Sequence, residues 1–119
     1  MTTIRQSLDD LLTCDGALCG ALVDSDSGMM LGSAGSGVDL EMAAAGNTEV
    51  MRAKRKTMKS LGLDDSIDDI LITLGKQYHL IRPTSQQEGV FLYFVLDKSR
   101  SNLALARRKM QEVDKALTF

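Results

Sequence analysis

Several residue types that build well-known functional sites are scarce in this 119-residue sequence. It has one histidine, His79, and two cysteines, Cys14 and Cys19, whose spacing fits neither a zinc site nor a redox Cys-x-x-Cys pair. No apolar run reaches the roughly 18 residues that a membrane span needs. The formal net charge is only −2, which gives no general attraction to nucleic acid. We therefore expect no metal, no cofactor, no membrane span and no nucleic-acid partner.

The N-terminal segment also lacks the apolar stretch of a secretory signal, and it contains acidic residues. Together with only two cysteines, this predicts a protein of the reducing cytoplasm. The length predicts one domain over residues 1–119. Hydrophobic residues make up 44% of the chain, which is enough for one core.

The hydrophobic pattern predicts the element order α-β-β-α-β-β-β-α. Thr3 and Gln6 have the spacing of a capping box, and Asp39 is a good N-cap for a long helix. Gly16 and Gly62 are expected to end the first and second helices. The strands are expected at Ala17–Val23, Met29–Gly35, Ile67–Leu74, Gln77–Arg82 and Val90–Leu96, and the later helices at Leu40–Leu61 and Leu103–Leu117.

Val90–Leu96 is apolar at every position, so we predict a central strand that is covered on both faces. Short connections between the other strands favour antiparallel pairing. The fold class is therefore α+β: a mostly antiparallel five-stranded sheet sandwiched between helices.

The segment Asp24–Gly28, "DSDSG", has four possible interpretations. It resembles the Asp-x-Asp of phosphotransferases, but a new strand follows within five residues and leaves no room for a helical crossover. A calcium loop needs six to eight oxygen ligands, which "MML" after the motif does not supply. A phosphate cradle formed by the glycines of residues 32–37 lacks the Gly-Lys-Ser/Thr ending of a P-loop. A hairpin turn, with Gly28 at positive φ, is the interpretation that we favour.

Residues 52–59 contain a dense group of basic side chains, and four aspartates follow at positions 64, 65, 68 and 69. Cations in the last turns of a helix complement its dipole, which accounts for part of the pattern. The remainder predicts a surface for a partner or for a second copy rather than a DNA site. The candidate partner-binding residues are Arg52, Lys54, Arg55, Lys56 and Lys59.

The segment Ile67–Leu74 is too apolar on both faces to remain an open sheet edge, so it predicts pairing with another chain. The preceding helix contains small residues, Ala43 to Gly46, that would let a second helix approach. Both features predict a two-fold homodimer. The expected interface residues are Ala43, Ala44, Asn47, Met51, Ile67, Asp69, Leu71 and Thr73.

The chain resembles the Roadblock family, that is, Roadblock-type dynein light chains and their bacterial relatives. The similarity lies in "GALVDSDSGMML", "DDILITLGKQYHLIRP" and "VFLYFVLDKSRSNLALARRKMQEV", in this order and spacing. It implies a sheet of order 2-1-5-4-3, with the second helix on one face and the terminal helices on the other. It also implies a dimer in which the third strands pair and the second helices pack together. Many members are scaffolds or regulators of small Ras-like GTPases. Bacterial relatives include activators of a polarity GTPase, which do not themselves supply a catalytic arginine.

Three functions follow as hypotheses. The first is a non-enzymatic dimeric module that binds a small Ras-like GTPase or another signalling protein. The second is a ligand-sensing or enzymatic domain that uses the loops at residues 24–28 and 32–37. The third is nucleic-acid binding through the basic end of the second helix, which would show a steep dependence on salt.

Overall fold

The computed structural model describes residues 3–119 and has the predicted element order. Its elements are α1 (Ile4–Leu11), β1 (Ala17–Asp24), β2 (Met29–Gly35), α2 (Leu40–Ser60), β3 (Ile70–Thr73), β4 (Gln77–Pro83), β5 (Val90–Asp97) and α3 (Leu103–Ala116). None of the described helices has the length and hydropathy of a membrane-spanning helix.

The five strands form one antiparallel sheet in the order β2-β1-β5-β4-β3, which confirms the predicted fold class and strand order. β5 lies at the centre, and Val90 to Leu96 are all buried. Leu92, Phe94 and Leu96 contact α1 and α3, whereas Phe91, Tyr93 and Val95 lie on the α2 face. Alternation along one fully apolar strand therefore supplies the centre of two separate cores.

Helix boundaries follow the capping chemistry, with one exception. Thr3 and Gln6 form the capping box, and Asp39 accepts from the Met42 amide at 3.2 Å. Gly16 does not end α1, which stops at Leu11 with Leu12 as its C-cap. Gly16 instead has φ +79° where the chain passes Ser101, and a Cβ there would lie 2.7 Å from that side chain. The glycine is thus required for close approach rather than for helix termination.

The end of α2 forms a Schellman motif. The Gly62 amide donates to the Lys59 carbonyl at 3.1 Å, and the Leu63 amide donates to the Met58 carbonyl at 2.9 Å. Gly62 takes φ +69°, as this motif requires. The prediction that Gly62 ends α2 is confirmed, and the motif places Leu63 beside Met58.

β3 is shorter than predicted. Only Ile70–Thr73 pairs with β4, so Ile67 and Asp69 lie outside the strand. The Asp69 carboxylate accepts from Arg107 Nε at 3.0 Å and from Arg107 Nη2 at 3.1 Å, which holds the chain against α3. As a result, Ile67 packs on the α2 face while Leu71 packs on the α1 and α3 face. The two residues, both expected in the dimer interface, therefore pack on opposite faces of the sheet.

Candidate functional site

The "DSDSG" segment is a hairpin turn. The Asp24 carboxylate accepts from the Asp26 amide at 3.0 Å and from Ser27 Oγ at 3.1 Å, and Gly28 has φ +76°. Ser25 is buried, and its amide and hydroxyl donate to the Gly89 carbonyl at 2.7 and 2.6 Å. Both aspartate side chains therefore belong to a turn, as the favoured interpretation predicted. Within residues 3–119, no group of three or more His, Cys, Asp or Glu is placed to hold a metal ion.

The glycine-rich segment of residues 32–37 is not a free loop, because Gly32 and Gly35 belong to β2. A Cβ on Gly32 would lie 2.7 Å from Ile4 Cγ2, and one on Gly35 would collide with the Leu18 carbonyl. These glycines let α1 and β1 approach β2. The suggestion that they cradle a phosphate is therefore wrong for this part of the segment.

α2 covers only part of its sheet face. It lies over β1 and β2, whereas a five-stranded sheet is about 20 Å wide and a helix about 10 Å across. The opposite face has two helices, since α1 packs at β1 and β2 and α3 bonds to the β4 side through Arg82. On the α2 face, no described helix lies over β3 and the first half of β4, whereas Ile81 further along β4 is fully buried in the same cluster as Ala44 and Met51 of α2. Ile70 and Ile72 of β3 are only half-buried.

The sides of α2 can be assigned from their contacts. Arg52 donates to the carbonyls of Ser25 and Asp26 at 2.8 and 2.9 Å, so its side of the helix faces the β1–β2 turn. Asn47 is within hydrogen-bonding reach of the Tyr93 hydroxyl on β5. Ala43, Gly46 and Val50, spaced three and four residues apart, form a row on the side of α2 opposite to Arg52; Ala43 and Val50 lie toward the uncovered half of the sheet, and Gly46 lies further round toward solvent. A Cβ added at Gly46 would meet no atom within 4 Å, so this row is open.

This arrangement corrects part of the expected dimer interface. Ala44 and Met51 are buried against the protein's own sheet and are not available to a second chain. Leu71 packs against the protein's own core, and Asp69 is bonded to Arg107. Ala43 and Asn47 remain partly accessible beside the uncovered half-face, and Thr73 is exposed on β3.

The basic residues of α2 do not form one surface. Arg52 is engaged with the turn carbonyls and with Glu49 at 3.0 Å, so it is a structural residue rather than a free cation. Arg55 and Lys59 lie on the side toward the β1–β2 turn, whereas Lys54 points to the opposite side by helical spacing. Within residues 3–119, Lys54, Arg55, Lys56 and Lys59 make no ion pair.

His79 belongs to a hydrogen-bonded group on the α2 face of the sheet that the sequence did not reveal. Its Nδ1 lies 2.9 Å from the Tyr93 hydroxyl, and its Nε2 lies 2.8 Å from Gln77 Oε1. A neutral ring satisfies both contacts if Nε2 donates to Gln77 and Nδ1 accepts from Tyr93. Burial lowers the pKa of His79 and raises the pKa of Tyr93, so both groups are held neutral.

The two thiols show no sign of activation. Cys19 is buried and Cys14 is half-buried, and both are free. Burial is the main cause that raises the pKa of each thiol. A thiol held protonated is a poor nucleophile, so this geometry gives neither cysteine a reactive character.

Comparison with known proteins shows the fold. A Roadblock/LC7 domain from Streptomyces avermitilis superposes with a TM-score of 0.83 and 14% identity, over 97% of this chain and 94% of that one. MglB of Myxococcus xanthus superposes with a TM-score of 0.83 and 20% identity, over 94% and 89%. The gliding protein MglB from Thermus thermophilus gives 0.80 and 17%, over 95% and 84%. No protein-family model matches the sequence, and no curated protein matches it. The chain has the Roadblock/LC7 fold.

Proposed function

We propose that this protein is a non-enzymatic, homodimeric regulatory scaffold that binds a small Ras-like GTPase. The observation that carries the proposal is the uncovered half of the α2 face, which ends at the short edge strand β3. A second copy related by a two-fold axis would add its own β3 beside this edge and its own α2 above the vacant half-face. The likeness to the Roadblock/LC7 domain and to MglB supports this arrangement.

The edge strand Ile70–Thr73 is only four residues long, but it contains no charged residue and no proline that would block pairing. The outward N–H and C=O groups of an edge strand are free to bond a second strand. Antiparallel pairing of two β3 strands would join two sheets into one, and an isologous contact would repeat each favourable interaction twice.

The α2 row of Ala43, Gly46 and Val50 supports close helix packing beside that edge. Small side chains allow two helix axes to approach, and Val50 is 36% exposed without a partner helix. A dimer would remove this apolar surface, together with Ile70 and Ile72, from water. Burial of apolar area at about 25 cal/mol per Å² is the expected driving force.

The GTPase assignment rests on the family resemblance of the sequence and on the MglB fold likeness. The chemistry of the described residues agrees with a binding role, since His79 and Tyr93 are held neutral by burial and both cysteines are held protonated. We expect the protein to act on the GTPase by contact alone.

The test measures binding to purified Ras-like GTPases of the source organism, each loaded with GDP or with a non-hydrolysable GTP analogue. We expect one of them to bind preferentially in one nucleotide state, and we expect its hydrolysis or exchange rate to change. If a folded protein binds none of them at tens of micromolar, which corresponds to about −6 kcal/mol, the GTPase assignment is wrong. Tight binding to duplex DNA, below the roughly 10⁻⁶ M of non-specific contacts, would favour the nucleic-acid hypothesis instead.

A further inference from the structure

A cleft of about 710 Å³ lies at the end of α2, between the β1–β2 turn and the loops at residues 63–67 and 84–89. We refer to it as the α2-end cleft. It is lined by the last two turns of the helix, Arg55 to Lys59, and not by the Ala43–Val50 row. Its walls differ in chemistry, and each wall fits a different chemical group of a bound molecule.

One wall is apolar and is formed by Met58, Leu63, Ile67 and Pro83. The Schellman motif at Gly62 places Leu63 beside Met58, and Leu63 remains 53% exposed. Covering an exposed leucine and its half-buried apolar neighbours with an apolar side chain removes their surface from water, which favours binding. This wall therefore fits a leucine-sized group.

The helix side of the cleft is basic. Arg55 and Lys59 are one helical turn apart and both line the cleft. Neither forms an ion pair within residues 3–119. Two adjacent unpaired cations fit a carboxylate that enters between them, because charge-assisted hydrogen bonds to both would then form.

The β1–β2 turn and the loop at residues 84–89 contribute acidic side chains to the cleft. Asp26 and Glu88 line it, and the Asp26 carboxylate lies close to Gly89, where an added Cβ would be 3.6 Å from Oδ2. Asp65 also lines the cleft. These carboxylates would repel a phosphate backbone or an anionic lipid surface, and they fit a cationic side chain. The mixed charge therefore favours a protein segment over a nucleic acid or a membrane.

The walls are held in place before any partner arrives. Arg52 fixes the carbonyls of Ser25 and Asp26, and Ser25 bonds the Gly89 carbonyl. Asp114 of α3 accepts from the Ser85 amide at 3.0 Å and from the Thr84 hydroxyl, which anchors the far end of the 84–89 loop. Binding to a site that is already ordered loses less conformational entropy.

We propose that the α2-end cleft binds a segment of a partner protein that presents a carboxylate, an apolar side chain and a cationic side chain in succession. The carboxylate pairs with Arg55 and Lys59, the apolar group covers Leu63 and Met58, and the cation faces Asp26 and Glu88. This inference rests on the proposed function, because it assigns the partner protein a docking point outside the dimer seam.

The probe is a blocked hexapeptide with one glutamate, two leucines and one lysine, titrated to about 1 mM into the ¹⁵N-labelled full chain, a range that detects weak binding. We expect the amide shifts to concentrate at Ser25, Ser66 and Gly89. Lys59→Glu should weaken binding by about tenfold, the loss of one charge pair. The matched control Lys56→Glu makes the same charge change on the same helix outside the cleft, and it should leave binding within about twofold.

Three results would overturn the inference: no shifts at these amides at about 1 mM peptide, equal weakening by both lysine variants, or equal binding of a peptide with glutamine for glutamate. Binding to vesicles containing phosphatidylserine that depends on Lys59 would show a membrane site instead. The proposed function is tested separately. If a GTPase binds wild type and Lys59→Glu equally while the peptide fails, only the cleft assignment is wrong. If the peptide binds and no GTPase does, the proposed partner class is wrong.

Discussion

Asp114 is the only charged side chain that is buried among residues 3–119. It lies in the last turn of α3, where the helix dipole disfavours a negative charge. Its carboxylate is stabilised by Arg82 at 3.3 Å, by the Ser85 amide and hydroxyl, and by the Thr84 hydroxyl. The role of this residue is therefore to hold the 84–89 loop against α3.

Asp114→Ala should lower the free energy of unfolding by about 3 kcal/mol, because it leaves several buried donors and a partly buried guanidinium without an acceptor. The control is Asp10→Ala, which removes an exposed carboxylate that pairs with Lys109 at 2.7 Å. That change should lower it by less than about 1 kcal/mol although its ion pair is shorter. Urea denaturation of both variants measures the difference, and equal losses would contradict this account of the loop anchor.

His79 gives stability a pH dependence with a defined sign. Burial lowers the folded-state pKa of His79 below its usual value of about 6.5. As the pH falls below that value, the unfolded chain takes up a proton that the folded protein resists, so stability decreases until the pH passes the folded pKa. Above the unfolded pKa of about 6.5, the ring is neutral in both states and this contribution to stability is fully present.

Thermal denaturation between about pH 7.5 and 5.5 tests this, because His79 is the only histidine and carboxylates titrate lower. Wild type should lose stability across this range, and His79→Gln should show a flatter profile. A wild-type profile that rises toward acid, or one that matches the variant, would mean that the ring is not held neutral.

At the scale of elements, local patterns predicted what local interactions determine. Val90–Leu96 was identified as the central strand because both of its faces are apolar, and the Thr3 and Asp39 caps follow from short-range hydrogen bonds. The predicted start of β3 at Ile67 was wrong because Asp69 is fixed by Arg107, which lies 38 residues away in the sequence. No local sequence pattern contains that pairing. The clamp from Arg52 to two backbone carbonyls is equally invisible in a sequence.

The candidate site was predicted less well than the fold for a related reason. Small residues at Ala43, Ala44 and Gly46 predicted helix packing, but their side of α2 depends on where the helix sits on the sheet. Ala44 proved to face inward, whereas Gly46 lies on the exposed side of α2. Similarly, the basic run was identified as a group, whereas the structure divides it between a turn clamp, the cleft and open solvent.

Gly46 gives a direct test of the proposed α2 contact. Gly46→Arg should leave the monomer folded, because an added Cβ meets nothing within 4 Å and arginine favours a helix over glycine by about 1 kcal/mol. In a dimer, the same side chain would stand between two closely packed helices and should cause dissociation. Gly46→Ala is the matched control, expected to stay dimeric and to gain up to about 1 kcal/mol of stability. Size-exclusion chromatography with light scattering distinguishes them, and unchanged dimerisation of the arginine variant would rule out this helix contact.

At the scale of the whole molecule, the features combine into a protein that is incomplete on one side. Two helices cover one face of the sheet and one helix covers part of the other, where the edge strand β3 carries two half-buried isoleucines. The pre-ordered cleft is lined by the last turns of α2, whereas the vacant side borders the Ala43–Val50 row. The proposed function requires that two copies associate and present their partner sites as a pair.

Sedimentation equilibrium of the wild-type protein at micromolar concentrations tests this central claim most directly. We predict a single species of twice the 12.9 kDa chain mass, with dissociation seen only on dilution. A stable species of 12.9 kDa across the whole range would contradict the dimer and, with it, the two-fold scaffold on which the proposed function depends.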